Sequence, residues 1–263
     1  MALSEAERRK CVETLLNAEK EKKQAVQLSV TFPHITIEDA YAISTAVAQH
    51  KIKGGAKLIG HKVGLTSKAM QASSQINEPD YGHLLDYMMI ADGAKVPHAN
   101  FCVPRVEVEL AFILGKPLKG PGVGLTDVLR ATEYVVPAIE IVDDRYVDWQ
   151  TLGAPTLVAD DFFAAGCVLG KPVARVGVPD VLHVSGRALI NGVEVGRGSG
   201  TDVLGHPHNA LAWLANHLAA DGKSLRAGQL VLTGSLVKTV WLNAGDEVAM
   251  ELHGLGTVEA RFS

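Results

Sequence analysis

The sequence predicts an α+β domain: two amphipathic helices followed by a glycine-punctuated, mostly antiparallel β region. Three observations carry this. Apolar residues recur at helical spacing before Lys57, short β-rich segments broken by glycine follow it, and no strand–helix alternation of βαβ type persists. The expected organisation is a helical subdomain over 1–56 packed on a β-rich catalytic core over 57–263.

The first helix rests on Cys11, Val12, Leu15 and Leu16, one apolar face among Glu, Lys and Arg. A second starts at Thr36, where Thr36-Ile-Glu-Asp39 has the form of a weak capping box. Ala40, Ile43 and Val47 continue it, and Gly54-Gly55 stops it. Residues 105–114 read as a strand. So do 134–142, with Pro137 implying an edge or a bulge. Asn191-Gly192 between 187–190 and 193–196 predicts a type I′ hairpin. A helix over 209–220 places Leu211, Leu214 and Leu218 in register and ends at Gly222. Strands return at 229–232 and 247–252, the second after the turn Asn243-Ala-Gly-Asp246. Internal repeats and low-complexity linkers are absent from the sequence.

Composition narrows the function classes. With 47% hydrophobic and 21% charged residues in 263, the chain can bury a large core and is not a disordered sequence. Twenty-nine acids against 25 Lys and Arg give a net charge of -4, the wrong sign for a general nucleic-acid binder. Three scattered cysteines (Cys11, Cys102, Cys167) fit a reducing cytosol rather than a disulfide framework. Apolar runs fall short of the roughly 20 residues that span a bilayer. The first residues lack the apolar stretch of a signal peptide. A soluble cytoplasmic protein without nucleic-acid or membrane partners is expected.

The chemistry concentrates in Glu107-Val-Glu109. On a strand these glutamates share a face, about 7 Å apart, while Val106, Val108 and Leu110 point the other way. Ala111 and Ile113 continue the glutamate face, so it is not wet along its length. Like charges there need a cation or a proton between them. Glu140 lies in the apolar run Ala138-Ile-Glu-Ile-Val142, and three glutamates suit a hard divalent cation, Mg²⁺ or Mn²⁺. The competing reading makes Glu107 and Glu109 the solvated side of an edge strand and Glu140 a surface acid. Zinc is disfavoured, because the close histidine pair His206 and His208 straddles a proline.

Lys62, within Gly60-His-Lys-Val-Gly64, either meets an anion or snorkels to solvent. Asp80, in Glu78-Pro-Asp-Tyr-Gly82, is either an acid–base group or a turn former. Thr233-Gly234-Ser235 follows a strand and can turn backbone N–H groups and a hydroxyl toward a ligand carboxylate. Gly196-Arg-Gly-Ser-Gly200 is a weaker candidate of the same kind.

Taken together these runs resemble the fumarylacetoacetate hydrolase superfamily, within it the 2-oxopent-4-enoate hydratases, 2-oxohept-4-ene-1,7-dioate hydratases and 4-oxalocrotonate decarboxylases. The resemblance extends over about 35–262. It rests on Gly60-His-Lys-Val-Gly-Leu-Thr-Ser67, Glu78-Pro-Asp-Tyr-Gly82, Pro104-Arg-Val-Glu-Val-Glu109, Pro137-Ala-Ile-Glu140, Leu204-Gly-His-Pro207 and Thr233-Gly-Ser-Leu236. It implies a mixed β-roll core and Mg²⁺ or Mn²⁺ on Glu107, Glu109 and Glu140. Lys62 and Asp80 are the implied catalytic residues, and Leu65, Thr233, Gly234 and Ser235 the substrate-binding ones. The implied reaction adds water to a 2-hydroxy-2,4-dienoate, giving a 4-hydroxy-2-oxo acid in aromatic meta-cleavage catabolism. Decarboxylation of 4-oxalocrotonate is the alternative, and a non-catalytic partner of such a decarboxylase the third reading. The resemblance also implies a homo-oligomer, and association with a homologous decarboxylase for some hydratases.

Two departures from the family pattern stand out. Relatives carry Val-Ala-Asp-Asn-Ala-Ser where this chain reads Val158-Ala-Asp-Asp161-Phe162-Phe163. The run from Ser67 to Gln75 resembles the heptenedioate hydratases, whereas the short connection from Trp149 to Thr156 resembles the pentadienoate enzymes. The substrate's chain length stays open.

Overall fold

The structure is a computed structural model and describes residues 2–73, 76–147 and 151–263. The end of the Ser67-to-Gln75 run and the start of the connection from Trp149 therefore lie outside the described residues.

The helices are α1 (Glu5–Glu21), α2 (Leu28–Thr31), α3 (Ile37–Lys53), α4 (Lys68–Ser73), α5 (Leu125–Ala131), α6 (Ala154–Ala159) and α7 (Pro207–Ala220). The strands are β1 (Leu58–Gly64), β2 (Asp80–Leu85), β3 (Met89–Ala91), β4 (Ala94–Val96), β5 (Pro104–Leu114), β6 (Thr132–Asp143) and β7 (Ala164–Leu169). They continue with β8 (Val173–Ala174), β9 (Ser185–Ile190), β10 (Val193–Ser199), β11 (Leu230–Ser235), β12 (Val240–Trp241), β13 (Glu247–Leu252) and β14 (Gly256–Phe262). A larger sheet runs β2-β1-β11-β5-β6-β7-β3, with β12 on β5 and β8 on β6. A second runs β10-β9-β13-β14-β4. Most pairings are antiparallel, but β1–β11, β3–β7 and β4–β14 are parallel, so both sheets are mixed.

The helical part forms as its caps dictate. Ser4 and Glu7 make a full capping box on α1, and Thr36 with Asp39 makes one on α3, which Gly54 terminates. Asp39 also ties the chain start to α3, accepting from the Leu3 amide (2.9 Å) and Arg8 Nε (3.0 Å). Cys11 and Leu15 of α1 pack with Ala40, Ile43 and Val47 of α3 and with Leu157 of α6.

Strand alternation sorts β5 between two cores. Val106, Val108, Leu110, Phe112 and Leu114 are fully buried in the main core, shared with Leu211 and Leu214 of α7 and Met250 and Val258 of the second sheet. The opposite face carries Glu107, Glu109, Ala111 and Ile113. Of these, Ala111 and Ile113 pack with Val136, Ala138, Cys167, Leu230 and Leu232.

Two sequence expectations need correction. Pro137 sits in β6, a central strand, without a break in its pairing to β5 (Leu110↔Pro137). It is tolerated because its other side falls between two neighbours: β8 pairs with Tyr134 and Val135, β7 from Ala138 onward. The Pro137 carbonyl in that gap accepts from the Gly170 amide at 2.9 Å. Secondly, α7 begins earlier than expected, with His206 as its N-cap and Pro207 in the first turn, so His208 is helical. The hairpin is as expected, with Asn191 (φ 52°) and Gly192 (φ 78°) in the turn between β9 and β10. Among the described residues, none of the helices is long and apolar enough to cross a membrane.

Candidate active site and metal centre

The β5–β6 register places Glu107 directly opposite Glu140, and Glu109 follows two residues along on the same face. One oxygen from each of the three carboxylates can be chosen so that all lie within 4.8 Å of one another. Glu109 and Glu140 are fully buried and Glu107 is half-buried, so the cluster opens on one side. The solvated-edge reading of these glutamates is excluded by that burial.

Lysine reaches the cluster through the same geometry. Cross-strand partners share a face, and the row Gly82–Lys62–Leu232–Ala111 continues from β2 through β1 and β11 to β5. Lys62 therefore emerges beside the glutamates, with Nζ 3.1 Å from Glu140 Oε1 in an ion pair buried on both sides. It does not snorkel to solvent. Nor is Asp80 a turn former: it starts β2 opposite Gly64, is buried, and neither carboxylate oxygen has a hydrogen-bond partner.

A bulge arranges the remaining edge. Between Leu232↔Ala111 and Ser235↔Glu109 the β11–β5 register shifts by one residue, and Gly234 in the bulge adopts φ 100°. Its amide consequently points at Glu109 and donates to Oε2 at 2.9 Å. Glycine is required there twice over, because a Cβ would also stand 2.1 Å from Thr66 Oγ1. Ser235 is half-buried and its hydroxyl accepts from the Val108 amide (3.1 Å). Glu107 accepts from Thr239 Oγ1 at 2.5 Å.

A cavity of about 730 Å³ opens above this floor. Lys62, Leu65, Thr66, Glu107, Gly234 and Ser235 line it, with Phe162 and Phe163 along one wall and Arg105 behind them. Arg105 is buried, its guanidinium 4.7 Å from the Trp241 ring and 5.4 Å from that of Phe163. Thr233, expected at the substrate, does not line the cavity. It is fully buried and its hydroxyl donates to the Leu110 carbonyl at 2.9 Å, which holds the bulge. Of the run Gly196–Gly200, Arg197 lines the cavity and donates to Glu194. A Cβ on Gly198 would stand 1.7 Å from the Leu236 carbonyl oxygen, so this glycine serves close packing behind Ser235.

The electrostatics follow from burial. Burial, then Glu140 and Glu107, push the Glu109 carboxyl well above its usual range. Burial also raises Glu140, against the pull of Lys62. Burial raises Asp80 strongly as well, with Lys62 opposing. Burial on its own would lower Lys62, but the surrounding carboxylates outweigh it and hold the ammonium charged above its ordinary value. Glu109 Oε1 and Glu140 Oε2 have no hydrogen-bond partner, and Glu140 Oε1 meets the Lys62 ammonium. Unpaired buried carboxylate oxygens converging within 4.8 Å fit a hard divalent cation.

The family model described as fumarylacetoacetate (FAA) hydrolase C-terminal matches residues 57–263. The chain belongs to the fumarylacetoacetate hydrolase family. A 2-oxo-hept-4-ene-1,7-dioate hydratase of Escherichia coli is 45% identical over 250 residues, covering 93% of this chain and 94% of that protein. A 2-hydroxyhexa-2,4-dienoate hydratase of Comamonas testosteroni is 40% identical, covering 95% of each. Among solved structures, the 4-oxalocrotonate decarboxylase of Pseudomonas putida G7, complexed with magnesium and adipate, superposes with a TM-score of 0.96. It is 33% identical, with 99% of each chain covered.

Within this family fold, sequence reasoning brought Lys62, Asp80, Glu107, Glu109 and Glu140 to notice. It missed Thr239, Arg105 and the residues supporting Phe162, which meet the site only through long-range packing. Arg105 stood inside a quoted motif, and an arginine two residues before paired glutamates was the available signal.

Proposed function

We propose that the chain is a metal-dependent hydro-lyase that adds water to a 2-hydroxy-2,4-dienoate, yielding a 4-hydroxy-2-oxo acid of aromatic meta-cleavage catabolism. The observation that carries the reading is the convergence of three carboxylates, two of them fully buried, beside a buried lysine at the floor of a cavity. The hydratase relatives at 45% and 40% identity support it.

Glu107, Glu109 and Glu140 would hold Mg²⁺ or Mn²⁺. Bound there, such an ion would supply Lewis acidity toward a 2-oxo acid. The chain's own residues supply the rest. Lys62, kept protonated by its acidic neighbours, pairs with the substrate carboxylate and stabilises charge gathering on its 2-oxygen. Asp80, kept neutral by burial, delivers its proton to the far carbon of the dienol as the 2-hydroxyl gives up its own. Its carboxylate then takes a proton from the water adding at C4, and the proton released from the 2-hydroxyl ends on C3. Leu65 and the Gly234–Ser235 bulge position the bound acid, and Phe162, which meets Gly64 beside Asp80, closes the side where the far carbon lies.

The reading includes a cytoplasmic homo-oligomer and a helical 1–56 part seated on the 57–263 core. Contacts of Ile43 and Val47 with Leu157 and Phe162 support the latter. The test is the ultraviolet absorbance of 2-hydroxypenta-2,4-dienoate, its six-carbon homologue and the heptadienedioate, each with the chelated protein and after adding back Mg²⁺ or Mn²⁺. Metal-dependent loss of the dienol band is expected, and turnover unchanged by exhaustive chelation refutes the reading. Close superposition on the decarboxylase favours a second reaction in the same cavity. Release of CO₂ from 4-oxalocrotonate without hydration of any dienoate would assign that one instead.

A further inference from the structure

Asp161, Phe162 and Phe163 adopt φ of 48°, 47° and 65°, three successive left-handed residues without a glycine. Each such residue costs about 1–2 kcal/mol relative to the right-handed form. A run of three persists only where its surroundings force it, and such strain gathers at functional sites.

The surroundings are specific. Asp161 lies directly on β2 at Gly82, where a Cβ would stand 2.8 Å from its own Cβ and 2.9 Å from its carbonyl oxygen. Because β2 is the edge strand of its sheet, the Asp161 side chain reaches past it to groups on the other side. There Ser44 Oγ, from α3, donates to Oδ1 at 2.5 Å, and His83 Nδ1 lies 3.2 Å and 3.3 Å from the two carboxylate oxygens. The preceding residue is pinned separately, Arg145 donating to both oxygens of Asp160 at 2.9–3.2 Å.

Serine, histidine and aspartate suggest a nucleophile by composition, but the geometry is wrong for one. Ser44 and Asp161 both meet the same imidazole nitrogen, Nδ1, and the serine gives its proton to the carboxylate. Ser44 is also buried, away from the cavity. The triangle is mechanical. What it fixes is visible on the other side of the turn. Phe162 Cγ lies 3.5 Å from the Cβ position of Gly64, and its ring is 5.8 Å from Lys62 Nζ. The Phe163 ring lies 5.4 Å from the Arg105 guanidinium and, tilted by 55°, 5.9 Å from the Tyr146 ring.

We propose that Asp161, gripped by Ser44 and His83, is a positioning residue that holds Phe162 and Phe163 as the cavity wall, and that this wall sets how long a substrate tail the site accepts. The second half rests on the 2-oxo acid reading above, whereas the first stands on the turn alone. An aromatic wall stops an alkyl or alkenyl tail by contact, and discrimination of about tenfold or more per methylene is what such a contact yields.

The experiment measures binding of saturated 2-oxo acids of four to seven carbons to the Mg²⁺-loaded protein by calorimetry. Amide hydrogen exchange over 158–164 is followed in parallel. The variants are Phe162→Ala, Asp161→Ala, Ser44→Ala and Asp161→Asn, the last retaining an acceptor for Ser44. Truncating Phe162 should weaken discrimination against the longer acids by about tenfold or more. Asp161→Ala and Ser44→Ala should reproduce that shift and speed exchange over 158–164, while Asp161→Asn stays near the wild type in both. Equal proportional weakening at every chain length overturns the wall, and unchanged exchange in Asp161→Ala and Ser44→Ala overturns the strut. If the wild type binds none of the acids, the 2-oxo acid reading falls with the wall, and exchange still decides the strut.

Discussion

Replacing Glu109 by glutamine should stabilise the metal-free protein while abolishing its response to metal. Two unit charges at 4.8 Å repel by about 3.5 kcal/mol at an effective dielectric constant near 20, and Glu109 has two acidic neighbours with an oxygen within that distance. Lys62, 3.1 Å from Glu140, offsets part of this, and proton uptake relieves more, as the raised Glu109 and Glu140 carboxyls show. The relief left for the substitution is about 1–3 kcal/mol. Glutamine keeps an oxygen able to accept from the Gly234 amide. Over 263 residues the unfolding entropy is about 0.55 kcal/mol/K, so Tm in EDTA should rise by about 2–5 °C. Wild type with Mg²⁺ at a hundredfold excess over Kd should gain about 2.7 kcal/mol, or about 5 °C, and the variant far less. The sign with pH follows from the raised folded-state pKa. The wild-type penalty is present above that value and fades as pH falls through it, so the glutamine advantage shrinks on acidification. Scanning calorimetry at fixed protein concentration, in EDTA and in Mg²⁺, decides the matter. A variant melting below wild type in EDTA, or an equal Mg²⁺ shift in both proteins, refutes the argument.

Lys62→Met should lower kcat/KM by about 30- to 1,000-fold, the equivalent of about 2–4 kcal/mol of barrier, and wild-type turnover would remove Lys62 from the chemistry. His61, buried beside His83, has its pKa pushed down from 6.5 to about 3, so below pH 6.5 the unfolded chain takes up a proton that the folded one refuses. Stability should therefore fall by about 1.4 kcal/mol per pH unit below 6.5, about 2 kcal/mol at pH 5. His61→Phe should flatten that limb in acid denaturation, and parallel limbs would contradict the assignment. Gly198→Ala drives a Cβ to 1.7 Å from the Leu236 carbonyl, so it should cost more than about 3 kcal/mol or displace the Ser235 loop. An alanine variant of unchanged Tm and unchanged KM would show that the contact can give way.

The elements with strong local signals were legible in the sequence. Thr36 with Asp39, Asn191-Gly192 and the alternation through β5 each specify their structure within a few residues. Glu107 and Glu109 were legible because strand alternation puts them on one face, and Glu140 because an acid in an apolar run is anomalous. What could not be read was which strands lie side by side. Pro137 misled because its tolerance depends on β7 and β8 leaving a gap. Thr233 misled because the β11 bulge turns Gly234, not the threonine, toward Glu109. Asp80 was ambiguous for the same reason: its burial comes from Gly64 opposite and Phe162 above, neither near it in sequence.

The distribution of backbone strain argues that these non-local features belong to one functional arrangement. Among the described residues, seven non-glycine positions have positive φ. Lys22 is the left-handed C-cap of α1 and Asn191 a hairpin residue, both ordinary uses of that conformation. The other five, Leu65, Asp161, Phe162, Phe163 and Leu204, meet at the cavity. Leu65, Phe162 and Phe163 line it, Asp161 anchors the wall, and the Leu204 amide donates to the carbonyl of Thr66, itself a lining residue, at 2.8 Å. Leucine and phenylalanine have no side-chain group that eases a left-handed backbone, so local sequence gives no reason for these conformations. Shape at the cavity does. The same neighbourhood holds three acids that repel one another, two of them fully buried, on the β5 and β6 strands whose opposite face is densely packed. A frame consistent everywhere else can hold strain and like charge where a ligand is to be gripped.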